Sequence, residues 1–192
     1  MRRAQELDPL SHVTNIGLGS TLLFARRYYE ALEYCYKAAE LAPNQAPVQN
    51  WLAFAYLLNG MYEQAIERYQ KVRELNPVEN GNVLASIAAV LVSAGRKSEA
   101  DSMMPEILKL GGEGKVDPYH LVALYVIRNE QDAAFEWFTK ALQRGTENGS
   151  NGNDSREIRY DPILDPLRAD RRFAALLRQY NRGSLLEASG KR

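Results

Sequence analysis

The chain has 192 residues, and 24 Lys and Arg balance 24 Asp and Glu, so its formal net charge at pH 7 is zero. That balance excludes a broad electrostatic footprint for nucleic acid or anionic lipid, and a single cysteine, Cys35, excludes an intrachain disulfide or a thiolate metal cluster. The longest apolar stretch, Trp51–Leu58, is far too short to cross a bilayer, and Met1–Ser11 lacks the apolar core of a signal peptide. A cytoplasmic protein is expected, with neither nucleic acid nor membrane as partner.

Residues 2–8, RRAQELD, read as the end of a second helix whose first helix is absent. A helix this short is marginal alone in water. Residues 1–11 are therefore read as the end of a preceding repeat, in a piece of a longer array or at an edge that a partner covers. The alternative is a short N-terminal helix docked on the next pair.

Residues 12–45 make the first complete helix pair. Ser11 is a candidate N-cap for a helix to about Ala25, which Gly17 and Gly19 weaken by roughly 1 kcal/mol each relative to Ala. A second helix over about 28–41 carries Leu32, Cys35 and Ala39 near one face, with Cys35 as a small buried residue rather than a reactive thiol.

Residues 46–79 hold the clearest pair, with a tight turn at Asn59-Gly60. Its first helix is apolar nearly all round, the pattern of a buried helix or a contact surface. Leu52 and Tyr56 are assigned to the core, and Phe54 and Leu57 to an exposed groove. Residues 80–114 diverge from this pattern. One residue is inserted near Glu79–Gly81, Pro105 should kink the second helix, and GGEGK forms the exit. GGEGK lacks the spacing of a phosphate loop and follows no predicted strand, so it reads as a helix end and loop.

Residues 115–145 open on Asp117-Pro118, an N-cap followed by a first-turn proline, with helices to about Arg128 and over about 131–144. Trp137 lies one step off the seam of the second helix and is expected to pack on the C-terminal segment. The lone His120 has no recognisable nucleophile or carboxylate partner and reads as packed or solvated. The polar run GTENGSNGNDS makes 146–159 a flexible loop, with glycosylation-type triplets at Asn148 and Asn153. Residues 160–183 contain two Asp-Pro turns and then a helix from about Asp170. Its apolar stripe is Phe173, Leu176, Leu177 and Tyr180, with Arg171, Arg172 and Arg178 off it as a solvated face. Such a helix suits the cap that a stacked array needs. Residues 184–192 are expected to be a disordered tail.

These pairs recur at a fixed period. Pro9, Pro43 and Pro77 are 34 residues apart, as are Leu7, Leu41 and Leu75, and Ala4, Ala38 and Val72. Ala31, Ala65, Ala100 and Ala134 follow at 34, 35 and 34. Such a period means a stacked array rather than one closed core. In the clearest copy Leu52, Ala53, Tyr56, Gly60, Ala65, Tyr69 and Pro77 resemble the tetratricopeptide-repeat pattern, with Gln49 where that family places its leading Trp. The resemblance covers roughly residues 1–145. It implies an all-α, right-handed α-solenoid of stacked antiparallel helix pairs, closed here by a C-terminal capping helix. The segment 160–181 resembles the ends of repeat arrays in bacterial signalling proteins such as winged-helix regulators, protein kinases and cyclases.

The function expected from this resemblance is a protein–protein interaction scaffold whose concave groove takes a helical or extended apolar peptide. Its candidate lining is Ile16, Ser20 and Leu23 on the first pair and Asn50, Phe54 and Leu57 on the second. Ala89 and Val92 follow on the third pair, and Tyr119 and Ala123 on the fourth, with Phe54 and Tyr119 as anchors. The alternative is a self-association or regulatory module severed from a larger signalling protein, dimerising through the N-terminal edge. No carboxylate pair, nucleophile–base set, metal cluster or cofactor loop emerges, so neither an enzyme nor a cofactor is expected. A helical-repeat RNA reader would need a basic track that the neutral charge does not supply.

Overall fold

The computed structural model describes residues 10–147, 158 and 160–179. The expected helix at 2–8, the loop beyond Glu147 with both triplets, Tyr180 and the C-terminal tail lie outside the described residues. Every described element is helical, and they fall into two compact units that divide after Val116.

The first unit holds six helices: α1 (His12–Phe24), α2 (Tyr28–Leu41), α3 (Ala46–Leu58), α4 (Tyr62–Leu75), α5 (Asn80–Ser93) and α6 (Lys97–Gly112). Consecutive helices pair as α1/α2, α3/α4 and α5/α6, and the pairs stack through α2 on α3 and α4 on α5. The result is an α-solenoid of tetratricopeptide type. Ser11 caps α1 by accepting from the Thr14 N–H at 3.2 Å. A 3₁₀ turn, Pro77–Glu79, takes up the inserted residue ahead of α5. Pro105 lies inside α6, which runs on to Gly112.

The second unit holds α7 (Pro118–Ile127) and α8 (Gln131–Glu147), then a 3₁₀ turn at Pro162–Leu164, the short α9 (Asp165–Arg168) and a helix α10 over 171–179. Asp117 caps α7 by accepting from the Tyr119 N–H at 2.9 Å. Phe173 of α10 stacks on Phe138 of α8, with ring centroids 5.0 Å apart and planes 9° from parallel. Arg172 is exposed, as its place off the apolar stripe suggests, and it also makes specific contacts. Its guanidinium pairs with Asp132 and Asp170 at 2.7 and 2.9 Å and lies 4.2 Å above the Phe135 ring. Trp137 accepts a cation on its face, with Lys140 Nζ 3.8 Å from the ring centroid, and it hydrogen-bonds Tyr125.

One turn geometry joins all four pairs. Arg26, Gly60, Gly95 and Asn129 all have positive φ, between 61° and 78°. The next residue donates its N–H to a carbonyl five positions back: Arg27 to Leu22, Met61 to Tyr56, Arg96 to Leu91 and Glu130 to Tyr125, at 2.8–2.9 Å. This is the Schellman closure, and it requires a left-handed residue at one position. Glycine takes that conformation without strain, whereas a Cβ there costs roughly 1–2 kcal/mol. Gly60→Ala should therefore lower stability by about 1 kcal/mol, and Arg26→Gly should raise it, less whatever the Arg26 hydrogen bond to the Phe24 carbonyl contributes. Chemical denaturation of the two variants checks the opposite signs.

Candidate functional site

The first helix of each pair carries no Asp, Glu, Lys or Arg: HVTNIGLGSTLLF, APVQNWLAFAYLL, NGNVLASIAAVLVS and PYHLVALYVI. The second helices carry the charge. In the first unit the uncharged helices α1 and α3 touch directly. Between them runs an aromatic ladder in which Phe24 meets Trp51 edge-on at 5.9 Å, and Trp51 meets Phe54 at 6.1 Å. Edge-on pairs of this kind contribute about 0.5–1.5 kcal/mol beyond their buried area. Phe24 is buried, while Trp51 and Phe54 stay half-buried and reachable from solvent. Periodicity alone did not assign Trp51 to this face. Its place two positions from the family's usual Trp hid its contact with the neighbouring helix.

The groove candidates separate by accessibility. Ile16, Asn50, Phe54, Val92, Tyr119 and Ala123 are half-buried. Leu23 is wholly buried, and Ser20, Leu57 and Ala89 nearly so. Leu23 and Leu57 thus pack in the helical interior, where a buried leucine contributes about 1.5–3 kcal/mol, instead of facing a groove as their helical phase suggested. On α5 the accessible positions are Asn80, Asn82, Ser86 and Ser93, with Val92 beside the last. Ser86 and Ser93 turn their hydroxyls onto the Asn82 and Ala89 carbonyls one turn back, both at 3.0 Å. The uncharged face is aromatic on α3 and becomes polar on α5.

Tyr119 is held inside its own unit. Its hydroxyl donates to the Asp161 carboxylate, which is buried and also accepts from the Ile163 N–H at 2.8 Å. Arg168 donates to the carbonyls of Ile158 and Asp161 and pairs with Asp165. Tyr119 therefore fastens the C-terminal segment to α7, a role that no spacing rule signals because its partner lies 42 residues away.

At the position of the family's leading Trp two amides are buried, Asn15 and Gln49, one period apart. Each ties down the chain entering its helix, Asn15 by donating to the Ser11 carbonyl at 2.8 Å and Gln49 to the Pro43 carbonyl at 2.9 Å. They brace the pair from within and leave the surface alone. Burial pushes the Cys35 thiol up to about 12. Burial also lowers the His120 imidazole below its ordinary value, against the opposing pull of Asp117, so the ring is neutral at pH 7. Among the described residues, no group of three or more His, Cys, Asp and Glu could hold a metal ion, and no helix is long and apolar enough to cross a membrane.

Helix pairs stacked at a 34-residue period, joined by one turn geometry and seamed with small residues, define a helical-repeat scaffold of the class that binds proteins or peptides. The family model of the tetratricopeptide repeat matches residues 22–90, and this part of the chain belongs to that family. Over 127 residues the chain is 32% identical to protein O-mannosyl-transferase TMTC1 of Homo sapiens. That match takes in 66% of this chain and 13% of the transferase, so the chain spans only a small part of that relative's length.

Removing the Tyr119 hydroxyl would leave the buried Asp161 carboxylate short of a donor, at a cost of about 1–3 kcal/mol. Tyr119→Phe should accordingly speed amide exchange over 160–179 while α1–α6 keep their protection; hydrogen exchange read by mass spectrometry checks this. The native protein should also resist maleimide at Cys35 at pH 8 and become labelled once unfolded, since the thiol is both buried and protonated.

Proposed function

We propose that the chain is a non-enzymatic interaction scaffold whose uncharged first-helix face takes a helical or extended apolar peptide from a protein partner. The observation that carries this reading is the half-buried Trp51–Phe54 edge on α3. Asn50 flanks it on the same helix, which has no charged residue. Aromatic side chains on a rigid helix supply anchor area at little entropic cost, and a face free of charge imposes no desolvation penalty on an apolar ligand. Asn50 gives one directional contact, and Asn82 and Ser86 on α5 would receive the more polar end of the ligand. The repeats proposed to present this face are 12–45, 46–79 and 80–114, all in the first unit, and the repeat proposed at 115–145 belongs to the second unit.

The reading is tested by selecting binders from a displayed library of amphipathic and extended peptides, then titrating the best binder into variants. Phe54→Ala should weaken binding about tenfold, the range for loss of an aromatic anchor, with the helical circular-dichroism signal retained. Selected peptides that bind Phe54→Ala and wild type equally would remove this face from consideration.

A further inference from the structure

A second surface lies on the other kind of helix, and its chemistry differs. Along α2, residues Tyr29, Leu32, Glu33, Tyr36 and Glu40 recur at helical spacing on one face, above a floor of Tyr56 and Met61 from α3 and the turn before α4. They line an open groove of about 550 Å³. Tyr29 is 73% and Tyr36 50% exposed, high values for large aromatic side chains.

We infer that this groove, carried by Tyr29, Tyr36, Glu33 and Glu40, docks a proline-rich peptide in the polyproline II conformation with a flanking arginine or lysine. Spacing is the first ground. Tyr29 and Tyr36 are separated by seven residues, which at 1.5 Å per residue puts them about 10.5 Å apart on the same side of the helix. A polyproline II helix repeats every three residues, or about 9.3 Å, so prolines one turn apart meet successive tyrosine rings. Hydrogen bonding is the second ground. Such a peptide makes no internal hydrogen bonds, leaving its carbonyls open to donors such as the tyrosine hydroxyls. Charge is the third. Glu33 and Glu40, also seven residues apart, alternate with the tyrosines. Neither glutamate is among the described residues that form an ion pair. Lys37 also lines the groove, with its ammonium over the Tyr34 ring, 5.3 Å from the centroid. With two carboxylates to one ammonium the groove is aromatic and net acidic, complementary to proline next to a cation, and it stands apart from the uncharged first-helix face.

The test is fluorescence anisotropy with a short synthetic peptide holding a Pro-x-x-Pro core and a flanking arginine. Its controls are the same peptide with prolines changed to alanine and with the arginine changed to glutamate. Wild type should bind the parent peptide and prefer it about tenfold over either control. Tyr36→Ala should lose about tenfold, consistent with an exposed aromatic anchor. The double change Glu33→Gln and Glu40→Gln, both on the exposed surface, should weaken binding and flatten its salt dependence. Phe54→Ala should leave this peptide's affinity unchanged, which keeps the outcome separate from that of the first-helix face. Absence of binding, or equal binding of the alanine peptide, overturns the inference. So does a wild-type dimer in light scattering that Tyr36→Ala dissociates, because a second copy would then occupy the groove.

Discussion

The fold depends on how closely two helices can approach at the seam of each pair. A Cβ added to Gly19 would lie 2.6 Å from the Cys35 sulfur and 3.4 Å from the Ala31 carbonyl oxygen. A Cβ there would force the Cys35 side chain to move within a buried seam. Ala31, Ala53, Ala65, Ala88, Ala100 and Ala134 are all without solvent exposure at corresponding positions. The seam leaves little room for sliding, so it sets the register of each pair. The left-handed residue at each turn then sets the length of the link. With register and link both fixed, successive pairs of the first unit repeat one geometry, and α1 and α3 come into direct contact.

This frame was legible in the sequence because it rests on residue size and backbone conformation, both of which recur at the same spacing. Prolines after the second helices, alanines at the seam and Gly60 in its turn all report backbone requirements local to their position. The same logic explains where reading failed. Arg26 and Asn129 occupy the left-handed turn position without being glycine, so the turn common to all four pairs was read only at Gly60. The sequence places Pro105 inside the second helix of its pair, and it lies inside α6, whose flanking turns carry the helix onward.

The candidate site was less legible, for a different reason. Periodicity predicts which side of a helix is apolar, but not how far a neighbouring helix covers it. Leu23 and Leu57 have the phase of groove residues and the burial of core residues. Tyr119 has the phase and chemistry of an anchor, yet its hydroxyl is committed to Asp161 across a segment whose sequence carries no repeat. Polar contacts between distant residues leave no periodic trace. The same holds for the link from Arg96 to Glu63 at 2.9 Å and for the Asn59 amide on the Tyr28 carbonyl at 2.9 Å, both of which tie one pair to the next.

Segregation of charge onto the second helices gives the first unit two surfaces of unlike chemistry. Helix α3 belongs to both. Phe54 faces the uncharged side and Tyr56 floors the acidic groove, and two residues on a helix are separated by about 200°, nearly opposite sides. One rigid helix therefore backs both surfaces, with Ala53 and Ala55 fully buried between them. Ligands on the two sides need not compete for space. Any coupling between them would pass through displacement of α3 at a seam that tolerates little displacement. A ligand that shifted α3 would alter affinity on the far side by the same factor in either direction, whereas ligands that accept its position would bind independently.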